Sequence, residues 1–158
     1  MEFHETISTR RAIRGYKSDA IPEASLEKLK NAIQLAPTAN NQQPFKVVFV
    51  RNPALRREIA EKACHQAFLA QVPIIAVVFS RKGAEFDAAI ATDHLVLAAT
   101  AEGLGTCWVG WFEPEVVTTI VAAPEGMAPC ILVPIGYAAE KPAARPRKPL
   151  DEIVAILD

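Results

Sequence analysis

Residues 86–102 read FDAAIATDHLVLAATAE, and this run limits the fold more than any other stretch of the chain. It has the composition of a helix, with apolar residues on nearly every side. Such a helix must be covered on most of its surface. The cover comes either from the centre of a domain or from a second copy at a subunit interface. Gly103-Leu104-Gly105 ends it, because glycine accepts the left-handed conformation that a helix end often requires. Thr92, Asp93 and His94 interrupt the apolar run, and Pro73 to Phe79 is far too short to cross a bilayer. The covering material therefore has to be protein.

The remaining segments supply that material. Lys46–Val50, Ile74–Ser80, Thr106–Val109 and Ile131–Tyr137 are short, apolar and rich in β-branched residues, as buried strands are. Residues 2–9, 22–35, 53–70 and 113–122 carry helical patterning. Pro22 suits a first helical position, and Leu26, Leu29, Ile33 and Ala36 then fall on one stripe. Helices alternating with strands predict a sheet covered on its faces by helices. Pro142, Pro146 and Pro149 mark residues 138–158 as an extended C-terminal arm, so the expectation is a single domain over 1–158.

Charge and cysteine content exclude several classes. The chain has 158 residues, 17 Lys plus Arg against 18 Asp plus Glu, and a formal net charge of −1. That balance gives no overall attraction to nucleic acid or anionic lipid, and leaves only local basic patches to consider. The opening Met1-Glu2-Phe3-His4-Glu5 is acidic and polar, unlike a secretory signal. Cys64, Cys107 and Cys130 cannot all pair within one chain and form no CxxC, so reduced, buried thiols in a cytoplasmic protein are expected. His4, His65 and His94 form no spaced ligand set, and no metal site is expected.

Four features carry chemistry. Arg10-Arg11-Ala12-Ile13-Arg14 puts three guanidiniums within five residues. They could clamp a phosphate through forked, charge-assisted hydrogen bonds, or form a solvated basic face. Thr38-Ala39-Asn40-Asn41-Gln42-Gln43, set between Pro37 and Pro44, offers one hydroxyl and four side-chain amides. Amides both donate and accept, which suits a ribityl chain or a heteroaromatic edge, although Asn and Thr also serve turns. Gly110 follows a strand and precedes Trp111 and Phe112. A glycine there would let a planar ligand approach the main chain. These glycines precede a strand and do not open a helix, so they are no dinucleotide fingerprint. Arg145-Pro146-Arg147-Lys148 could close on the same phosphate from the arm. Asp87, Asp93 and His94 read as capping or interface residues. No nucleophile, metal cluster or acid pair is evident, as expected where a cofactor carries the reactivity.

Taken in order, these motifs resemble the FMN-dependent nitroreductase family. The resemblance rests on Arg10–Tyr16, on Ala36–Phe45, on the Leu95–Gly110 run into its GLGxxWxG-like end, and on Pro134-Ile135-Gly136-Tyr137 with Arg145 to Lys148. Ala12 stands where the family usually has serine, Phe45 where it has tryptophan, and Asp93-His94 where many members have an amide pair. The insertion that often covers the active site is absent.

The resemblance implies an α+β fold, a mixed central β-sheet flanked by helices in a three-layer α-β-α sandwich. It implies a homodimer with two FMN sites between subunits. Arg10, Arg11 and Arg14 would hold the phosphate and ribityl end, with Arg145 or Arg147 also at the phosphate. Thr38, Asn41 and Gln43, supplied by the partner, would line the flavin. The main chain at Val109, Gly110 and Trp111 would face its reactive edge. The implied activity is ping-pong hydride transfer from NADH or NADPH to a nitroaromatic, quinone or similar electron-poor acceptor, with no essential side-chain acid or base. The same resemblance also covers dehalogenases, flavin-modifying enzymes and non-enzymatic flavin binders. An RNA-binding module built on the arginine run is disfavoured by the near-neutral charge.

Overall fold

In the computed structural model, which describes residues 1–157, the chain begins with α1 (Phe3–Thr9) and α2 (Glu23–Gln34). A short 3-10 turn at Ala39–Asn41 leads into β1 (Phe45–Val50) and α3 (Pro53–Glu58). A π-helical segment, Ile59–Cys64, follows, then α4 (Phe68–Gln71), β2 (Ile74–Ser80) and α5 (Glu85–Ala101). The chain continues through β3 (Gly105–Thr106), α6 (Pro114–Val121) and β4 (Ala128–Gly136), with one 3-10 turn at Leu150–Glu152 in the arm. No helix among the described residues is long and apolar enough to cross a membrane.

The four strands form one sheet in the order β1-β2-β4-β3, antiparallel throughout. The parallel element of the expected mixed sheet is a single bridge, Ala12 to Thr106, on the outer edge of β3. Every residue of β2 is buried. Its side chains alternate between two separate cores, as the period of a strand demands. Ile75, Val77 and Phe79 join Ile59, Ala63, Leu69 and Val117 on the face covered by α3, α4 and α6. Ile74 and Ala76 join Leu29, Leu95, Val96 and Ala99 on the face covered by α2 and α5. The helix–sheet–helix layering is therefore complete within one chain.

Two expected elements differ from the sequence reading. The 53–70 helix passes without a break from α3 into the π-helical segment and then stops, because His65 adopts the left-handed conformation at φ 52°, its N–H reaching Ala60, before α4 resumes at Phe68. No glycine marks that stop. The expected strand Thr106–Val109 is paired at Gly105–Thr106 and again at the isolated bridge between Val109 and Leu132. That register sets Cys107 opposite Pro134. Proline has no N–H to give to the ladder, so the pairing lapses there.

Helix α5 is covered on one side, with Ala88, Ala91, Thr92, Leu95, Val96 and Ala99 buried. Phe86 and Ile90 on its other side are exposed. All three thiols are free, with Cys64 and Cys107 buried. Burial pushes the Cys64 thiol up to about 11.

Candidate functional site

The arginine run leaves α1 at Arg10 and crosses the edge of β3. Two apolar anchors fix it. Ile13 is buried and its N–H donates to the Thr106 carbonyl at 2.9 Å. Tyr16 is buried and its hydroxyl donates to the Ile13 carbonyl at 2.7 Å. Burial raises the Tyr16 phenol far above its ordinary range, so it stays a neutral donor. With Ile13 and Tyr16 turned inward, Arg10, Arg11 and Arg14 stand at or near the surface.

Both closely packed glycines of this region serve these anchors. A Cβ on Gly105 would lie 2.7 Å from Ile13, and one on Gly136 would lie 3.1 Å from Tyr16 and 2.7 Å from Pro73. The glycines of GLG and PIGY therefore let the arginine run lie against the sheet.

The C-terminal arm meets the run from the other side. Lys17 N–H donates to the Tyr137 carbonyl and Ala139 N–H to the Gly15 carbonyl, each at 2.9 Å. Tyr16 and Ala138 form an antiparallel bridge. Past this zipper the arm forms part of the wall of a cavity of about 700 Å³, lined by Arg10, Arg11, Arg14, Arg145 and Arg147 among others. Both candidate arm arginines thus share one cavity with all three from the N-terminal run. None of the five forms an ion pair with a carboxylate among the described residues. Arg11 alone of the five uses its guanidinium internally, donating to the Ser8 and Arg10 carbonyls at 2.8 Å. Five cations facing one cavity without carboxylate partners are suited to a multiply charged anion. The phosphate of FMN is one.

The amide loop lies apart from this cavity. Asn40, Asn41 and Gln43 all have positive φ, at 49°, 55° and 49°. Three non-glycine residues in left-handed conformations within four positions is an uncommon concentration of strain. Local bonds hold it. Gln43 N–H donates to Thr38 Oγ1 at 3.0 Å, and Gln43 Nε2 donates to the carbonyl and Oδ1 of Asn41 at 3.0 Å. Asp87 on α5 accepts from Ala39 N–H at 3.1 Å. The sequence reading placed Asp87 among caps and interface residues; here it fastens the loop. Within one chain, Thr38, Asn41 and Gln43 are not brought to the arginine cavity.

The third patch follows β3. Val109 is buried and bonded both ways to Leu132 at 2.9 Å, while Gly110 and Trp111 face outward, Trp111 at 88% exposure. Gly110 has no positive φ, and nothing lies within 4 Å of where its Cβ would be. The chain itself gives no reason for glycine there; open space in front of the backbone is what a flat ligand would use. Trp108 is 41% exposed, and Phe112 packs in part against the α3/α6 core.

Sequence reasoning missed Glu140. Its carboxylate accepts from the backbone N–H groups of Arg14 and Gly15, at 2.5 and 3.0 Å. The partners are 126 and 125 residues apart in sequence, and no local pattern announces such a bond.

Comparison with known proteins finds relatives along nearly the whole chain. A family model described as "Putative TM nitroreductase" matches residues 2–158. A Methanothermobacter thermautotrophicus protein named "Putative NADH dehydrogenase/NAD(P)H nitroreductase" is 30% identical, over 92% of this chain and 82% of that one. A Bacillus subtilis protein named FMN reductase [NAD(P)H] is 25% identical, over 96% of this chain and 72% of that one. A crystal structure of a nitroreductase family protein from Clostridium difficile 630 superposes with a TM-score of 0.87 at 26% identity, covering 98% of both chains.

Proposed function

The chain belongs to the nitroreductase family, and on that premise we propose that it is an FMN-dependent oxidoreductase. In this reading NADH or NADPH is the reductant, and a nitroaromatic, a quinone or a similar electron-poor compound is the acceptor. Bound FMN would supply the hydride-transfer chemistry, linking nicotinamide and acceptor in a ping-pong sequence. The protein binds, orients and excludes water, with no side-chain acid or base required.

The observation that carries this reading is the cavity in which Arg10, Arg11, Arg14, Arg145 and Arg147 converge without carboxylate partners. An FMN phosphate brings close to two negative charges at neutral pH. Burying it without cations would be prohibitive. Arg10, Arg11 and Arg14 would hold the phosphate and ribityl end, and both Arg145 and Arg147 would reach it from the arm. Val109, Gly110 and Trp111 would present open main chain to the ring.

A homodimer completes the site in this proposal. Thr38, Asn41 and Gln43 form a prepared, strained polar loop away from the arginine cavity of their own chain, so a second copy is needed to bring such a loop to the flavin. Uncovered apolar surface supports a partner. Phe3 and Ile7 on α1, Phe86 on α5, and Leu150, Ile153, Val154, Ile156 and Leu157 in the arm are all exposed. Patches of this kind mark interaction surfaces.

The test is spectroscopic. The purified protein, saturated with FMN, should show flavin bands, and anaerobic addition of NADH or NADPH should bleach them. Light scattering should give a dimer mass. If FMN binds and neither nicotinamide reduces it, the oxidoreductase reading fails, and a dehalogenase, a flavin-modifying enzyme or a non-enzymatic flavin binder takes its place.

A further inference from the structure

We propose that Glu140 is a positioning residue for the anion site: by gripping the Arg14 and Gly15 amides, it holds the arm arginines over the N-terminal arginine run. The identity of the anion as the FMN phosphate rests on the reading above; the grip itself does not.

The geometry is that of a latch. Glu140 lies in the wall of the arginine cavity, yet its carboxylate pairs with no guanidinium there among the described residues. One oxygen, Oε1, accepts from two consecutive backbone N–H groups instead, those of Arg14 and Gly15. The side chain lies flat on Gly15, whose notional Cβ would meet Glu140 Cγ and Cδ at 3.5 Å. Hydrogen bonds to a charged acceptor are about twice as strong as neutral ones. By directing its charge to main-chain donors, Glu140 leaves none of the five guanidiniums paired with a carboxylate among the described residues.

Its place in the chain gives the latch its consequence. Glu140 is the last residue of the arm tied to the body. Among the described residues, the hydrogen bonds beyond it are local to the arm, such as Glu152 N–H to the Pro149 carbonyl and Lys148 to Glu152. Arg145 follows five residues later and Arg147 two after that. Five residues of extended chain reach at most about 18 Å. Fixing position 140 therefore keeps Arg145 within that reach of the grip and Arg147 within about 25 Å of it, on the side where Arg10, Arg11 and Arg14 lie. Pro142 and Pro146 stiffen the tether further. Without the latch, the arm's last tie moves back to the bond from Ala139 N–H to the Gly15 carbonyl, and the Arg14 and Gly15 amides lose their acceptor. The arm arginines and the Arg14 backbone are then both less restricted, at an entropic cost to anion binding.

The test uses the full-length protein with Glu140→Ala, Glu140→Asp and Glu140→Gln. FMN and riboflavin, which lacks the phosphate, are titrated against each by flavin fluorescence, and backbone hydrogen exchange is read at Arg14 and Gly15. The alanine variant should bind FMN roughly tenfold more weakly or worse, with riboflavin affinity within about twofold of the parent. The shorter carboxylate of the aspartate variant would fall one methylene short of the two amides, so that variant should behave like alanine. Glutamine keeps an acceptor oxygen and should recover most of the FMN affinity. Exchange at Arg14 and Gly15 should accelerate in the alanine and aspartate variants. Equal losses for FMN and riboflavin would reduce Glu140 to a general structural role and overturn the proposal, as would unchanged FMN affinity. If the alanine variant does not fold, the aspartate variant decides by the same comparison. If the parent protein takes up no FMN, the functional reading falls, and exchange alone then judges the latch: unchanged rates refute it and faster rates uphold it.

Discussion

Strand β2 and the arginine rim are built on opposite terms. Every residue of β2 is buried between two helical layers, and the strand is paired along both edges. The rim is a loop and an arm, fixed at Ile13 and Tyr16, by the short zipper of Gly15–Lys17 with Tyr137–Ala139, and at Glu140, and open beyond it. Burial satisfies β2 completely. The rim gathers five cations into one cavity and leaves their charge unmatched. The first region is finished by folding alone, whereas the second is finished only when something anionic arrives. This difference separates stability from binding, and mutations should respect it.

The largest effect is expected at the finished end. Phe79 is fully buried among Ile59, Leu69 and Val117 in the α3/α6 core. Phe79→Ala should cost about 3–5 kcal/mol of unfolding free energy by loss of packing and creation of a cavity. Urea denaturation measures it. The folded fraction should bind FMN as before. If the variant lost flavin while keeping its stability, the two regions would not be separable.

Next comes the open end. Arg10→Ala combined with Arg14→Ala removes two charge-assisted contacts, each worth on the order of 1.5–3 kcal/mol. FMN affinity should fall at least about a hundredfold, roughly 3 kcal/mol. Unfolding free energy should stay within about 0.5 kcal/mol, as for ordinary surface substitutions. Full flavin occupancy in this variant would place the phosphate elsewhere.

Gly105 lies on the seam between the two. A Cβ there would press on Ile13 at 2.7 Å. Gly105→Ala should cost about 1–3 kcal/mol by overpacking. Unlike either change above, it should also weaken FMN, because Ile13 anchors the arginine run. Calorimetry and flavin titration on the same sample distinguish this double effect from a purely local one.

The same contrast explains what could be read from the sequence. The run Ile74–Ser80 and the stripe Leu26, Leu29, Ile33 were legible because burial writes itself into local composition. Helix α5 was legible as a helix that must be covered on most sides; within one chain only one side is covered, and Phe86 and Ile90 stand exposed on the other. The arginine run and the arm arginines were expected at one phosphate, but the contacts that bring them to one cavity were not legible, and the amide loop stays apart from it within one chain. Arg145 reaches Arg10 only through the Tyr16–Ala138 bridge, and Glu140 reaches Arg14 across 126 positions. Two local failures have the same root. His65 ends a helix in a left-handed conformation without the glycine that usually signals it. The break in pairing after Thr106 depends on facing Pro134, which no one knows until the register is set.

The smallest prediction concerns one atom on that seam. Thr106 is 1% exposed and bridges to Ala12, the position where the resemblance led to an expected serine. Its Oγ1 is buried without a hydrogen-bond partner, a single such side-chain atom among the described residues. A desolvated, unpaired hydroxyl costs about 1–3 kcal/mol, whereas removing it and keeping the shape is nearly neutral or stabilising. Thr106→Val keeps the branched shape favoured in a strand and deletes the orphan donor. If Thr106 belongs to the finished region, the valine variant should gain about 1 kcal/mol in urea denaturation with FMN affinity unchanged. If instead the hydroxyl is held in reserve for the ligand, the flavin-free protein should gain stability while FMN affinity drops, and the boundary between the two regions moves inward by one strand.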